Sequence, residues 1–222
     1  MKKTILFQLL FMLCLSAVAQ QFETVKIDDH VSVSIPKGNL KKDTLGQNII
    51  SATGAFGNIF ILKTPDDPSQ TPDIEKAKHL DNYYSSYLKR IHASTKGIIS
   101  EEKDTTIGKL HVKDFTLQID SGTGKQIRDF RILHENNATY TFEFLYPEIQ
   151  KEYAKADVQK FFNSINVVDD SSIKSQFTEP EDTTGKVPAG GNKLLLYGGI
   201  AAAIIIIIVA LILAKRKRDR NL

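Results

Sequence analysis

The chain has 222 residues, 29 Lys and Arg against 26 Asp and Glu, and a single cysteine. Seven of the positive charges crowd the two ends (Lys2, Lys3, Lys215, Arg216, Lys217, Arg218, Arg220), leaving 22 against 25 acids for the body, which excludes a basic nucleic-acid-binding face. The lone Cys14 excludes an intrachain disulfide, and it lies in a segment expected to be removed, which excludes thiol chemistry in the mature chain.

Lys2 and Lys3 open a short positive region, an apolar run follows to Leu15, and Ala17-Val18-Ala19 supplies small residues at the cleavage positions. These are the three parts of a secretory signal peptide over residues 1–19, with Gln20 as the new N-terminus. The run is too short to span a bilayer comfortably.

Residues 20–170 read as one exported domain. Residues 22–27 and 31–35 are β-branched runs separated by Asp28-Asp29-His30, a turn signal. In the second run Val31, Val33 and Ile35 alternate with Ser32 and Ser34, and Pro36 ends it. Strands are predicted again over 48–53 and 58–64, joined across Gly54 and Gly57. Thr71-Pro72-Asp73 carries helix-opening chemistry, and Ile74, Ala77, Tyr84, Leu88 and Ile91 recur near helical spacing, so a long helix is predicted up to the Gly97 exit. Tyr84 belongs to its buried stripe. Tyr83 and Tyr87 flank that stripe and, if exposed, form a candidate partner contact.

Four strands follow over 98–103, 109–119, 126–134 and 139–145, with hairpin chemistry at Ser121-Gly122-Thr123-Gly124 and Glu135-Asn136-Asn137. A second helical region runs from Pro147 to Ser164, offering Tyr153, Val158, Phe161, Phe162 and Ile165 to the core. From Asp169 the composition turns to Asp, Ser, Thr, Pro, Glu and Gly, so residues 171–193 read as a flexible linker. Residues 194–214 contain no charge; at 1.5 Å rise per residue they extend about 31 Å, the thickness of a hydrocarbon core. Lys215, Arg216, Lys217 and Arg218 then place the tail 215–222 in the cytoplasm and the domain outside, as a single-pass protein of the cytoplasmic membrane. Gly198 and Gly199 stand four residues before Ala202 and Ala203, a spacing through which two such helices would form a weak homodimer.

Strands, a long helix, more strands and a closing helix make an α+β domain with a mostly antiparallel sheet. The strand Val31-Ser32-Val33-Ser34-Ile35-Pro36-Lys37-Gly38, the element order after it and the ending Phe161-Phe162-Asn163-Ser164-Ile165 resemble the PsbP-like and DcrB-like superfamily over residues 22–168. The resemblance implies an α/β/α sandwich used mainly as a non-catalytic binding or assembly module, with no catalytic residues to carry over.

The sequence itself names no reaction. His30, His79, His92, His111 and His134 are scattered singly, without metal-ligand spacing; Asp28-Asp29-His30 is the most metal-like group and is better read as turn capping. The stretch from Ser121 to Lys125 lacks both the spacing and the following helix of a phosphate loop. No cofactor, metal or catalytic residue is expected. Three classes follow: a tethered binding or assembly module acting on a membrane-associated protein partner, an exported small-ligand or metal-binding domain, and an enzyme whose site is assembled from distant residues.

Overall fold

The computed structural model describes residues 21–44, 46–67, 71–120, 122, 124–168 and 173–177. The predicted signal peptide, the membrane helix 194–214 and the basic tail lie outside the described residues, as does most of the linker. No helix among the described residues is long and apolar enough to cross a membrane.

The elements are β1 (Phe22–Lys26), β2 (Val31–Pro36), β3 (Leu40–Thr44), β4 (Gln47–Thr53), β5 (Asn58–Pro65), α1 (Ala77–Thr95), β6 (Ile98–Ile107), β7 (Leu110–Asp120), β8 (Lys125–Glu135), β9 (Ala138–Pro147), α2 (Lys151–Asn163) and β10 (Asn166–Val167). A seven-stranded sheet has the order β3-β4-β5-β9-β8-β7-β6, and a three-stranded sheet has the order β1-β2-β10. Every strand pairing described is antiparallel. The fold is therefore α+β, as the sequence pattern predicts.

Alternation along the strands separates two cores, one on each face of the large sheet. On one face Ile59, Ile61, Tyr140, Phe142, Phe144, Val112 and Leu133 meet Val31, Val33 and Ile35 of the small sheet and Ala154 and Phe161 of α2. On the other, Phe115, Leu117, Phe130 and Ile132 meet Leu80, Tyr83, Tyr84, Leu88 and Ile91 of α1.

The structure corrects the sequence reading at β3, at the start of α1 and at Tyr153. Strand β3 was not predicted; it is a charged edge strand, Leu-Lys-Lys-Asp-Thr, with no buried alternation to reveal it. Helix α1 begins at Ala77, not at Thr71: residues 71–76 are not helical, Ile74 among them is already fully buried, and Lys76 before the helix is extended. Tyr153 leaves the core: it is 68 % exposed, while Ala154 takes the buried place.

The β7–β8 ladder runs from Asp120 opposite Lys125 to Val112 opposite Leu133, and there the strands part. Beyond that point the Tyr84 hydroxyl stands between them, accepting from the His134 amide at 3.0 Å and donating to the His111 carbonyl at 3.0 Å. Buried backbone groups left without a partner are costly. Tyr84→Phe should therefore lower unfolding free energy by about 1–3 kcal/mol although it removes one oxygen. Urea unfolding checks this, with the exposed Tyr153→Phe as a control expected to stay within about 0.5 kcal/mol of the parent.

Candidate partner-binding surface

Tyr83 and Tyr87, the tyrosines read as candidate partner contacts, turn inward. Tyr83 is buried, its hydroxyl 2.6 Å from Thr139 Oγ1, and Tyr87 is half-buried with its hydroxyl 2.7 Å from Thr141 Oγ1. Burial pushes the Tyr83 phenol up to about 12, against the lowering effect of its bond to Thr139, and pushes Tyr87 upward as well. The physical reason is the outer face of β9, which is polar: a flanking tyrosine covers the sheet with its ring and satisfies a threonine with its hydroxyl. The cleavage residues Ala17, Ala19 and Gln20 and the topology residues Lys215, Arg216, Lys217 and Arg218 lie outside the described residues.

A different aromatic group reaches solvent. Phe56 occupies the β4–β5 turn, where the Gly54 amide donates to the Gly57 carbonyl at 2.7 Å. A Cβ on Gly57 would sit 2.5 Å from the Leu145 carbonyl and from the Phe144 ring, so only glycine allows this close approach to the end of β9. Phe56 then stacks on Tyr153 at the start of α2, with ring centroids 5.8 Å apart and planes 24° apart. Ile149, one helical turn before Tyr153, is 88 % exposed. Leu40 and Ile98, the other strongly exposed aliphatic side chains of the described residues, sit singly on the two edge strands. Phe56, Ile149 and Tyr153 therefore gather large apolar side chains at one end of the molecule, beside the exposed Glu148, Lys151, Glu152 and Lys155.

The sequence reading missed this surface, yet carried two signs of it. An aromatic residue between Gly54 and Gly57 has no turn-forming role to explain it. In α2 the core stripe is Ala154, Val158 and Phe161, a spacing that leaves Tyr153 off the stripe.

Several titratable groups inside the domain make bonds between strands. The Asp129 carboxyl is pushed upward by burial, against its hydrogen bonds from Thr116 and Tyr146. Those bonds, 2.6 Å and 2.9 Å, occupy one oxygen each and tie three strands together. Arg128 grips Glu143 through two bonds of 2.5 Å and 2.8 Å, both side chains buried. Arg131 does the same to Asp114 at 2.7 Å twice and reaches the Phe162 carbonyl at 3.2 Å. No cluster of three or more His, Cys, Asp or Glu suited to a metal occurs among the described residues. Asp28-Asp29-His30 is a turn in the structure: Asp28 Oδ1 accepts from the amides of His30 and Val31, while Oδ2 accepts from Lys63 and Tyr140.

No family model matches the chain, and no curated protein matches its sequence. Its structure is similar to the cyanobacterial PsbP protein of Synechocystis sp. PCC 6803, at TM-score 0.50 and 9 % identity over 69 % of this chain and 96 % of that one. The chain has a PsbP-like fold. Looser likeness extends to the Ran-binding protein Mog1p of Saccharomyces cerevisiae, at TM-score 0.42 and 11 % identity over 72 % of this chain and all of that one. A Pseudomonas aeruginosa protein of unknown function gives TM-score 0.39 at 10 % identity, over 63 % of this chain and 92 % of that one. At such identities only the fold is shared, so the surface must be judged on its own chemistry.

Asp28 gives a pH test of the turn. Burial alone would raise its carboxyl, but the bonds from Lys63, Tyr140, Val31 and His30 outweigh it and hold the group at about 2, below its ordinary 3.8. A depressed carboxyl contributes stability that is present above its unfolded value and fades as pH falls through the folded one. Wild type should therefore exceed Asp28→Asn in unfolding free energy at pH 7, and that gap should narrow between about pH 4 and pH 2, as read by urea unfolding at each pH.

Proposed function

We propose that the chain is a membrane-tethered, non-catalytic binding or assembly module: its domain stands on the outer side of the cytoplasmic membrane and engages a membrane-associated protein partner. The observation that carries this reading is the exposed Phe56–Tyr153 stack with Ile149 beside it. Aromatic and large aliphatic side chains of this kind supply most of the energy in protein interfaces. Both rings come from rigid places, a tight hairpin turn and the first turn of a helix, so little order remains to be imposed on binding.

The rim favours a protein over lipid as the occupant. Glu148, Lys151, Glu152 and Lys155 around the apolar group carry both signs of charge, the mixed polar rim that surrounds the apolar centre of a protein interface. The uncharged stretch 194–214 and the basic cluster after it support the tether, which raises the local concentration of the domain near membrane partners without tight affinity. The position of the surface agrees with this arrangement. Phe56 and Tyr153 lie beyond the Leu145 end of β9, while residue 177, from which the chain continues toward 194, lies at the Ala138 end. A ten-residue strand separates the two ends by about 30 Å, so the surface stands clear of Phe177.

A photo-crosslinking residue placed at Tyr153 in intact membranes should trap one recurrent protein, and the same residue at the exposed Lys78 should not. Phe56→Ala combined with Ile149→Asp should reduce the trapping by about tenfold or more, as expected for hot-spot positions, without loss of the cooperative unfolding transition. Equal yields from both positions, or yields indifferent to the double substitution, would count against the reading.

A further inference from the structure

The segment 173–177 lies within the stretch whose composition reads as linker, yet it is built into the sheet. Where β7 and β8 part, the Gln176 side chain is completely buried and its amide takes the place of a missing rung. Gln176 Oε1 accepts from the His111 amide at 2.7 Å, and Nε2 donates to the His111 carbonyl at 2.8 Å and to the His134 carbonyl at 3.0 Å. With Tyr84, this one side chain completes all four main-chain groups that the parted strands expose. The His134 ring then bridges the segment to the end of β5: Nε2 lies 2.9 Å from Asp66 Oδ2 and Nδ1 lies 3.2 Å from the Gln176 carbonyl oxygen. At the β8–β9 turn, where Asn136 and Asn137 both take left-handed conformations, the Asn136 amide donates to the Ser175 carbonyl at 2.7 Å. Phe177 packs, half-buried, against the α1 core.

We infer that the slot between β7 and β8 is a reversible docking site for the chain's own segment 173–177, recognising a glutamine carboxamide followed by an aromatic ring. The contacts are local. The Asn136–Ser175 main-chain bond and the side-chain bonds of Gln176, His134 and Ser175 join the segment to the sheet, against the continuous main-chain ladders that hold β7, β8 and β9 together. Elements with few main-chain bonds and a small apolar contact open at lower free energy than the sheet they rest on. Released, the slot keeps its Tyr84 hydroxyl, and water reaches the His111 amide and the His134 carbonyl.

Amide hydrogen exchange on the full chain in detergent micelles tests the inference without a partner or a membrane. In Gln176→Ala the amides of His111 and Asn136 should exchange roughly tenfold to a hundredfold faster, the loss expected when a buried group gives up its partners. The amides of Phe130 and Phe142, in the middle of β8 and β9, should be unchanged. Unaltered exchange at His111 would overturn the contact. Equal acceleration at all four amides would overturn the reversibility, since the segment would then open only with the whole domain. Protection of His111 that rises with protein concentration in the wild type would assign the docked segment to a second copy and overturn the docking in cis. Alkaline carbonate extraction of the full chain from membranes tests the tether separately, so the two readings fail by different measurements.

Discussion

The structure depends on β9 being buried on both faces at once. Its residues 138–146 are all buried, which normally calls for an apolar run, but the sequence alternates. Tyr140, Phe142, Phe144 and Tyr146 face α2 and the small sheet, and Thr139, Thr141 and Glu143 face α1. A buried threonine or glutamate is tolerable only if each polar atom finds a partner. Those partners are Tyr83, Tyr87 and Arg128, and providing them fixes much of the remaining geometry.

The match between α1 and β9 is metric. Tyr83 and Tyr87 are four residues apart, about 6 Å along a helix axis. Thr139 and Thr141 are two residues apart, about 6.6 Å along a strand. The two rows coincide, so α1 lies alongside β9 in the same direction, and a slip by one residue would leave both hydroxyl pairs unmade. Glu143 continues the row and is closed from the neighbouring strand by Arg128, whose guanidinium also lies over the Phe130 ring at 5.3 Å. A buried ion pair of this kind adds little net stability compared with an apolar pair of the same shape, but removing one partner is strongly destabilising. Its effect is to fix the β8–β9 register beside the threonines that seat the helix.

This explains which parts of the fold were legible in the sequence. Strands β2, β4, β5, β7, β8 and β9 were readable because a side-chain period of two survives whenever one face meets a core. Helix α1 was readable from its apolar stripe, but the role of Tyr83 and Tyr87 was not, because their partners lie on a strand more than fifty positions further along the chain. Strand β3 was invisible because an edge strand protected by lysines carries no buried alternation. The candidate surface was hidden for the opposite reason. Phe56 and Tyr153 look like core residues by type, and only their placement, one in a glycine-framed turn and one off the helical stripe, sets them outside.

The C-terminal boundary of the domain shows why composition and hydrogen-bond accounting disagree. Composition changes at Asp169, where polar residues begin, and a boundary drawn there leaves the His111 amide and the His134 carbonyl without their partners. The account closes only at Gln176, which nothing in its local sequence marks as buried, because its partners are main-chain groups and carry no sequence signature. The end of the sheet that holds Gln176 is also the end from which the chain continues, and the aromatic surface occupies the other. The Gln176 contacts and the Phe56–Tyr153 stack thus lie at opposite ends of the ten-residue β9, so a substitution in the slot leaves the shape of the aromatic surface intact.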